Sequence, residues 1–132
     1  MPAQLHGVGR EQHASAFPTS SDEKFKTKIK PLTNVLEKLV KVRGVSFEWN
    51  KLYESMGRST HRREIGVIAQ ELEPNFPELV STWGEEGHRA VDYGRMTAVL
   101  LEAVKELKAQ NDALQARIEK IEKTNAAPVR NR

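Results

Sequence analysis

The chain contains no cysteine. That excludes disulfides, thiol nucleophiles and thiolate metal sites together, and it suits a reducing compartment. No apolar run approaches the roughly 18 residues that a membrane span requires. No signal-peptide apolar segment follows Met1, so no targeting is expected. A charge excess of one sign is also missing. The pI is near 9.3, yet 21 basic residues face 18 acidic ones, mostly interspersed, for a net charge of only +3. That excess is too small to select nucleic acid as a partner. What is present is a 132-residue chain of negative mean hydropathy, -0.61, expected to be a soluble single domain with a modest core.

Residues 1–20 scatter Gly, Ser, Pro and His without apolar period. They are expected to be a flexible lead or the stump of an upstream region, too short to be a fibre in itself. From Ser21 the pattern changes. Leu32, Val35, Leu36, Leu39 and Val40 recur at helical spacing, with Pro31 placed as a first helical residue. "VSFEW" then alternates, setting Val45, Phe47 and Trp49 on one face, as a half-buried strand does. Residues 50–63 read as a polar loop. "EIGVIAQELEPNFPELV" predicts a short strand over 65–68 and a helix kept short by Pro74 and Pro77. "LVSTW" and "RAV" are expected to pair across the Gly84–Gly87 turn, and Asp92 to cap the next helix.

That helix is predicted over residues 93–124, with no proline and no glycine after Gly94. Thr97, Val104, Asn111 and Ile118 fall at heptad position a, and Leu100, Leu107, Leu114 and Ile121 at d. Val99, Leu101 and Ala103 suggest that its first half packs on its own domain. Beyond Ala109 the apolar stripe narrows to a and d, which suits a partner helix better than a globular core. Asn111 at a fixes register and often marks a dimer, whereas Ile118 and Ile121 shift the preference towards three or four strands. In "RIEKIE", Arg117 at g reaches Glu122 at e of a parallel neighbour. A parallel trimer is the expectation, followed by a disordered tail over 125–132.

The stretch "TSSDEKFKTKIKPL", Thr19 to Leu32, sets lysine at every second position: Lys24, Lys26, Lys28 and Lys30. Three readings compete. In the first, Ser21 or Asp22 caps a turn and the lysines are solvated surface, as such runs usually are. A nucleic-acid grip needs aromatic interleaving or a basic helix running into the coiled coil, but Phe25 stands alone and the heptads begin far downstream. The third reading is a serine nucleophile with lysine as its base. Only neutral lysine accepts a proton, and roughly one in 2,500 is neutral at pH 7 at the ordinary value of about 10.4. Lowering that value by about three units disfavours the charged form by roughly 4 kcal/mol, through burial or crowding cations. Lys24, Lys28 and Arg43 are candidates for the crowding; Phe25, Ile29 or the core are candidates for the burial. Five residues span about 140° of a helix, or opposite faces of a strand, so the chain has to bend between Ser21 and Lys26. A turn at Ser21–Asp22 would do this.

"SDEKFK" resembles the serine-aspartate-x-arginine-x-lysine motif that opens the intramolecular chaperone auto-processing domain. This is the self-cleaving C-terminal domain of phage tailspikes, tail fibres and endosialidases, found also in the myelin regulatory factor family. The similarity continues through "IKPL", "VSFEW", "IGVIAQELEPNFPELV" and "VDYGRMTAVLLEAVKEL". It implies an α+β fold over residues 21–92, leading into a long C-terminal helix that forms a parallel trimeric coiled coil. It implies Ser21 as nucleophile, Lys26 as general base and Ser20–Ser21 as the scissile bond, with Asp22 and Lys24 supporting. Lys24 stands where arginine is usual, which keeps the charge but loses the planar fork. "GVIAQE", Gly66 to Glu71, matches a further signature; Val67 and Ile68 read as core and Gln70 as a structural polar contact. The implied partners are two further copies in a homotrimer and an upstream fibre segment of the same polypeptide, with no cofactor, metal, nucleic acid or membrane. The implied location is the bacterial host cytoplasm during virion assembly. The rival readings are a trimerisation clamp with an unused dyad, and a DNA-binding regulator.

Overall fold

The computed structural model describes residues 18–126. Most of the expected lead and of the expected tail therefore lies outside the described residues. Two compact units are present, one ending at Pro31 and the other starting at Leu32.

The second unit is α+β, built from short elements and one long helix. In chain order these are α1 (Val35–Leu39), β1 (Val45–Phe47), α2 (Lys51–Ser55), β2 (Glu64–Gly66), α3 (Ala69–Leu72), β3 (Val80–Trp83), β4 (His88–Val91) and α4 (Tyr93–Asn125), with a 3-10 turn at Pro77–Leu79. β1 pairs antiparallel with β2, Val45 opposite Gly66 and Phe47 opposite Glu64. β3 pairs antiparallel with β4, from Val80–Val91 to Trp83–His88, across the turn that Gly84 and Gly87 make at positive φ. This hairpin is the one the sequence predicts.

The core gathers Val35, Leu72, Phe76, Leu79, Met96, Val99 and Ala103. Leu36, Leu39, Val42, Val67, Val80 and Val91 pack around it. Met96, Val99 and Ala103 lie three and four positions apart, so one stripe of α4 closes the core. Leu101, expected on that stripe, is exposed: it lies two residues from Val99 and Ala103, hence on another side of the helix. From Leu107 to the end of the described chain every residue of α4 is exposed.

α1 starts later than the Pro31 pattern predicts. Asn34 sits at φ 53, in the left-handed region, and offers no side-chain cap. The cap comes from α4. Glu106 Oε1 accepts from Val35 N, and Oε2 from Leu36 N, both at 2.8 Å. These two donors, Leu36 first, hold the Glu106 carboxyl below the usual carboxylate range. They satisfy backbone groups that any helix start leaves open.

The stretch expected to be a polar loop contains α2. Asn50 caps it by accepting from Tyr53 N at 3.1 Å, and Tyr53 stacks on Trp49 at 4.1 Å between ring centres. β2 begins one residue before the expected 65–68 span and stops at Gly66, short of its end. At its end Gly66 faces Tyr93: a Cβ there would lie 2.5 Å from Tyr93 Oη and 3.3 Å from Phe47 Cε1. The space lets Tyr93 Oη accept from Val67 N at 3.0 Å, tying the first residue of α4 to the strand.

Candidate active site

The first unit carries the serine and the lysine. Asp22, in extended backbone at φ -68 and ψ 130, caps a 3-10 turn over Glu23–Phe25. Its Oδ1 accepts from Lys24 N at 3.1 Å, as the short acidic side chain of a cap does. Phe25 N donates to Asp22 O at 3.2 Å and Lys26 N to Glu23 O at 2.9 Å. After the turn Lys26 returns to extended backbone at φ -104 and ψ 146. One tight turn between two extended residues is the bend that the five-residue separation demands. It is centred on Glu23–Phe25, one step past the expected Ser21–Asp22. The outcome is direct contact: Lys26 Nζ donates to Ser21 Oγ at 2.8 Å. Hydroxyl and amine lie within hydrogen-bond reach of one another, the distance over which a proton can pass between such groups.

Ser20, Ser21, Asp22, Lys24 and Lys26 are all exposed, so the bond Ser20–Ser21 and the pair beside it stand open to solvent. Phe25 and Ile29, expected to help bury the amine, are themselves 76% and 65% exposed. Two of the cations expected to crowd the amine have carboxylate partners of their own. Lys24 turns to Asp22, Nζ to Oδ2 at 3.7 Å, and lies over the Phe25 ring at 5.2 Å. Arg43 is committed to Glu71, Nη2 to Oε2 at 2.7 Å and Nε to Oε1 at 3.1 Å. That fork raises the arginine's proton affinity and lowers the Glu71 carboxyl below its ordinary value. Within "GVIAQE" the polar contact is therefore made by Glu71, while Gln70 is exposed. Sequence spacing offered no signal for Glu106 either, because its two donors lie 71 and 70 residues upstream.

The residues expected at a seam, Leu100, Val104, Leu107, Leu114, Ile118 and Ile121, are large apolar side chains between 47% and 64% exposed. Asn111, Arg117 and Glu122 are exposed beside them. Among the described residues nothing covers this stripe from Leu107 onward.

A peptidase-family model described as chaperone of endosialidase matches residues 21–81, starting at the serine of the pair. The chain carries a chaperone-of-endosialidase domain. Relatives agree with the placement. The long tail fiber protein Gp37 of Enterobacteria phage K3 is 33% identical over 101 residues, 74% of this chain but 8% of its own length. That of phage T2 is 33% identical over 101 residues, 7% of its length, and that of phage M1 32% over 90 residues, 35% of its length. The chain thus spans well under half the length of these relatives. The chaperone-of-endosialidase match covers the turn, α1 to α3 and both strands of the first sheet, β1 and β2, and it ends inside β3.

Proposed function

We propose that this domain trimerises, assists the folding of an upstream fibre segment of the same polypeptide, and then releases itself by cutting between Ser20 and Ser21. The observation that carries the proteolytic part is the 2.8 Å contact between Lys26 Nζ and Ser21 Oγ at the first residues of the family match. In the neutral form of the amine the contact runs the other way, and Ser21 Oγ–H donates to Nζ. Lys26 takes that proton as Oγ attacks the carbonyl carbon of Ser20. The C–N bond breaks when Lys26 returns the proton to the α-nitrogen of Ser21. An ester between Ser20 and Ser21 Oγ remains, and water hydrolyses it to a Ser20 carboxylate and a free hydroxyl. Each chain cuts once, so holding the hydroxyl against its own peptide bond supplies much of the advantage.

The exposed pair also explains timing. Water stabilises the ammonium form, and desolvation disfavours it. Covering by neighbouring copies in the trimer activates the lysine, so the cut certifies assembly. The parallel trimer is read from the uncovered a and d stripe of α4, with Arg117 and Glu122 as its interchain pair. The fibre's β-structure depends on non-local contacts and folds slowly. Joining three chains at one end raises their mutual concentration to the millimolar range. Once the clamp has left, the fibre cannot unfold by the route it folded, and its persistence is kinetic. All of this takes place in the cytoplasm of the bacterial host during virion assembly.

The test compares the freshly purified chain with Ser21→Ala. The wild type yields a fragment beginning at Ser21, and Ser21→Ala stays whole while remaining trimeric in analytical ultracentrifugation. Equal amounts of intact chain in both over several days would leave only the trimerisation clamp. Salt-sensitive duplex binding near 100 mM salt would instead revive the DNA-binding reading.

A further inference from the structure

The geometry points to Asp22 as the positioning residue of the serine–lysine pair, acting as a turn cap rather than as a charge. This rests on the self-cleavage reading and adds the device by which the two side chains meet. The sequence separation alone sends Ser21 and Lys26 to different faces of any regular element. The single 3-10 turn between them is three residues long, too short to persist by itself. Its first open N–H groups need a partner, and the Asp22 carboxylate supplies one through Oδ1 on Lys24 N at 3.1 Å. Asp22 O accepts from Phe25 N in the same turn. The residue next to the nucleophile therefore closes the turn that swings the base back onto it.

A carboxylate so near a lysine base carries a drawback, because a negative neighbour favours the ammonium form. The structure deals with this by turning both carboxylate oxygens to Lys24: Oδ1 to its N–H and Oδ2 to its Nζ at 3.7 Å. What the site uses is thus the hydrogen-bond acceptor, and the charge is incidental. Asparagine and serine cap turns as well as aspartate does, and alanine does not.

The experiment measures the first-order self-cleavage rate of the full chain as wild type, Asp22→Asn, Asp22→Ser and Asp22→Ala, alongside Ser21→Ala. Asp22→Ala is expected to cut about five- to tenfold more slowly, the factor by which losing a cap lowers a closed-turn population. Asp22→Asn and Asp22→Ser are expected within about twofold of the wild type. The same substitutions made on Ser21→Ala leave the melting temperature and the oligomeric state unchanged, which separates positioning from loss of fold. A wild-type rate for Asp22→Ala overturns the inference, as does Asp22→Asn being as slow as Asp22→Ala. Failure of the wild type to cut, or cleavage by Ser21→Ala, overturns the self-cleavage reading and this inference with it. Cutting by wild type but not by Ser21→Ala leaves that reading standing, so the Asp22 series then judges the inference alone.

Discussion

At the scale of single residues, the proposed chemistry asks for a base that can be neutral. Lys26→Arg is the sharpest probe of it. Arginine keeps a cation and the length, but does not deprotonate in proteins. Cleavage by that variant should be undetectable by gel over a day, whereas a purely electrostatic lysine would tolerate the change. Glu106 acts on stability instead. Two backbone donors hold its carboxyl low, so the folded state binds this proton less readily than the unfolded chain. Its contribution is complete above the ordinary glutamate value of about 4.3, and is lost as the pH falls through the lowered folded value. Glu106→Gln should melt earlier than the wild type at pH 7, and the gap should narrow as the pH falls below the ordinary glutamate value; a gap independent of pH would contradict the cap. Gly66→Ala drives a methyl into Tyr93 Oη and should cost about 1–3 kcal/mol in denaturant unfolding, part of it recovered in combination with Tyr93→Phe. The sequence named Ser21, Lys26 and their neighbours only through the resemblance. Side-chain spacing argues against the pair, and the turn that unites it depends on one carboxylate whose role as a cap was legible but not its consequence. The fork between Arg43 and Glu71 joins residues 28 apart in sequence, a pairing that no local spacing announces.

At the scale of elements, what local chemistry decides was readable. The alternation of "VSFEW", the hairpin across Gly84–Gly87, the short α3 before Pro74 and the start of α4 at the Asp92 cap all appear, with Asp92 Oδ1 accepting from Arg95 N at 3.0 Å. The failures are instructive. α2 went unseen although Asn50 is a strong cap, because polar residues around it masked a helix that aromatic stacking on Trp49 helps to hold. α1 lost its first turn because its N-terminal cap comes from α4, which no local pattern can report. Along α4, the core stripe Met96–Val99–Ala103 runs beside the a and d stripe rather than through it. The two jobs are therefore separable by mutation. If α4 forms the proposed trimer, Leu107→Glu, at a site 54% exposed in the single chain, should give a monomer in ultracentrifugation while near-ultraviolet circular dichroism of the globular part persists. Persistence of the trimer would remove the seam.

At the scale of the whole molecule, the second unit combines a small core with a helix whose distal part is exposed. A helix of 33 residues extends about 50 Å, and its exposed portion from Leu107 onward is roughly half of that. The core spans a handful of side chains, so the proposed trimer would add to stability, and the melting temperature should then rise with protein concentration. The most direct measurement is intact mass with N-terminal sequencing of the purified chain beside Ser21→Ala and Lys26→Arg. Self-cleavage by the pair predicts a new amino terminus at Ser21 in the wild type and none in either variant. A terminus elsewhere, or the same terminus in a variant, would contradict it.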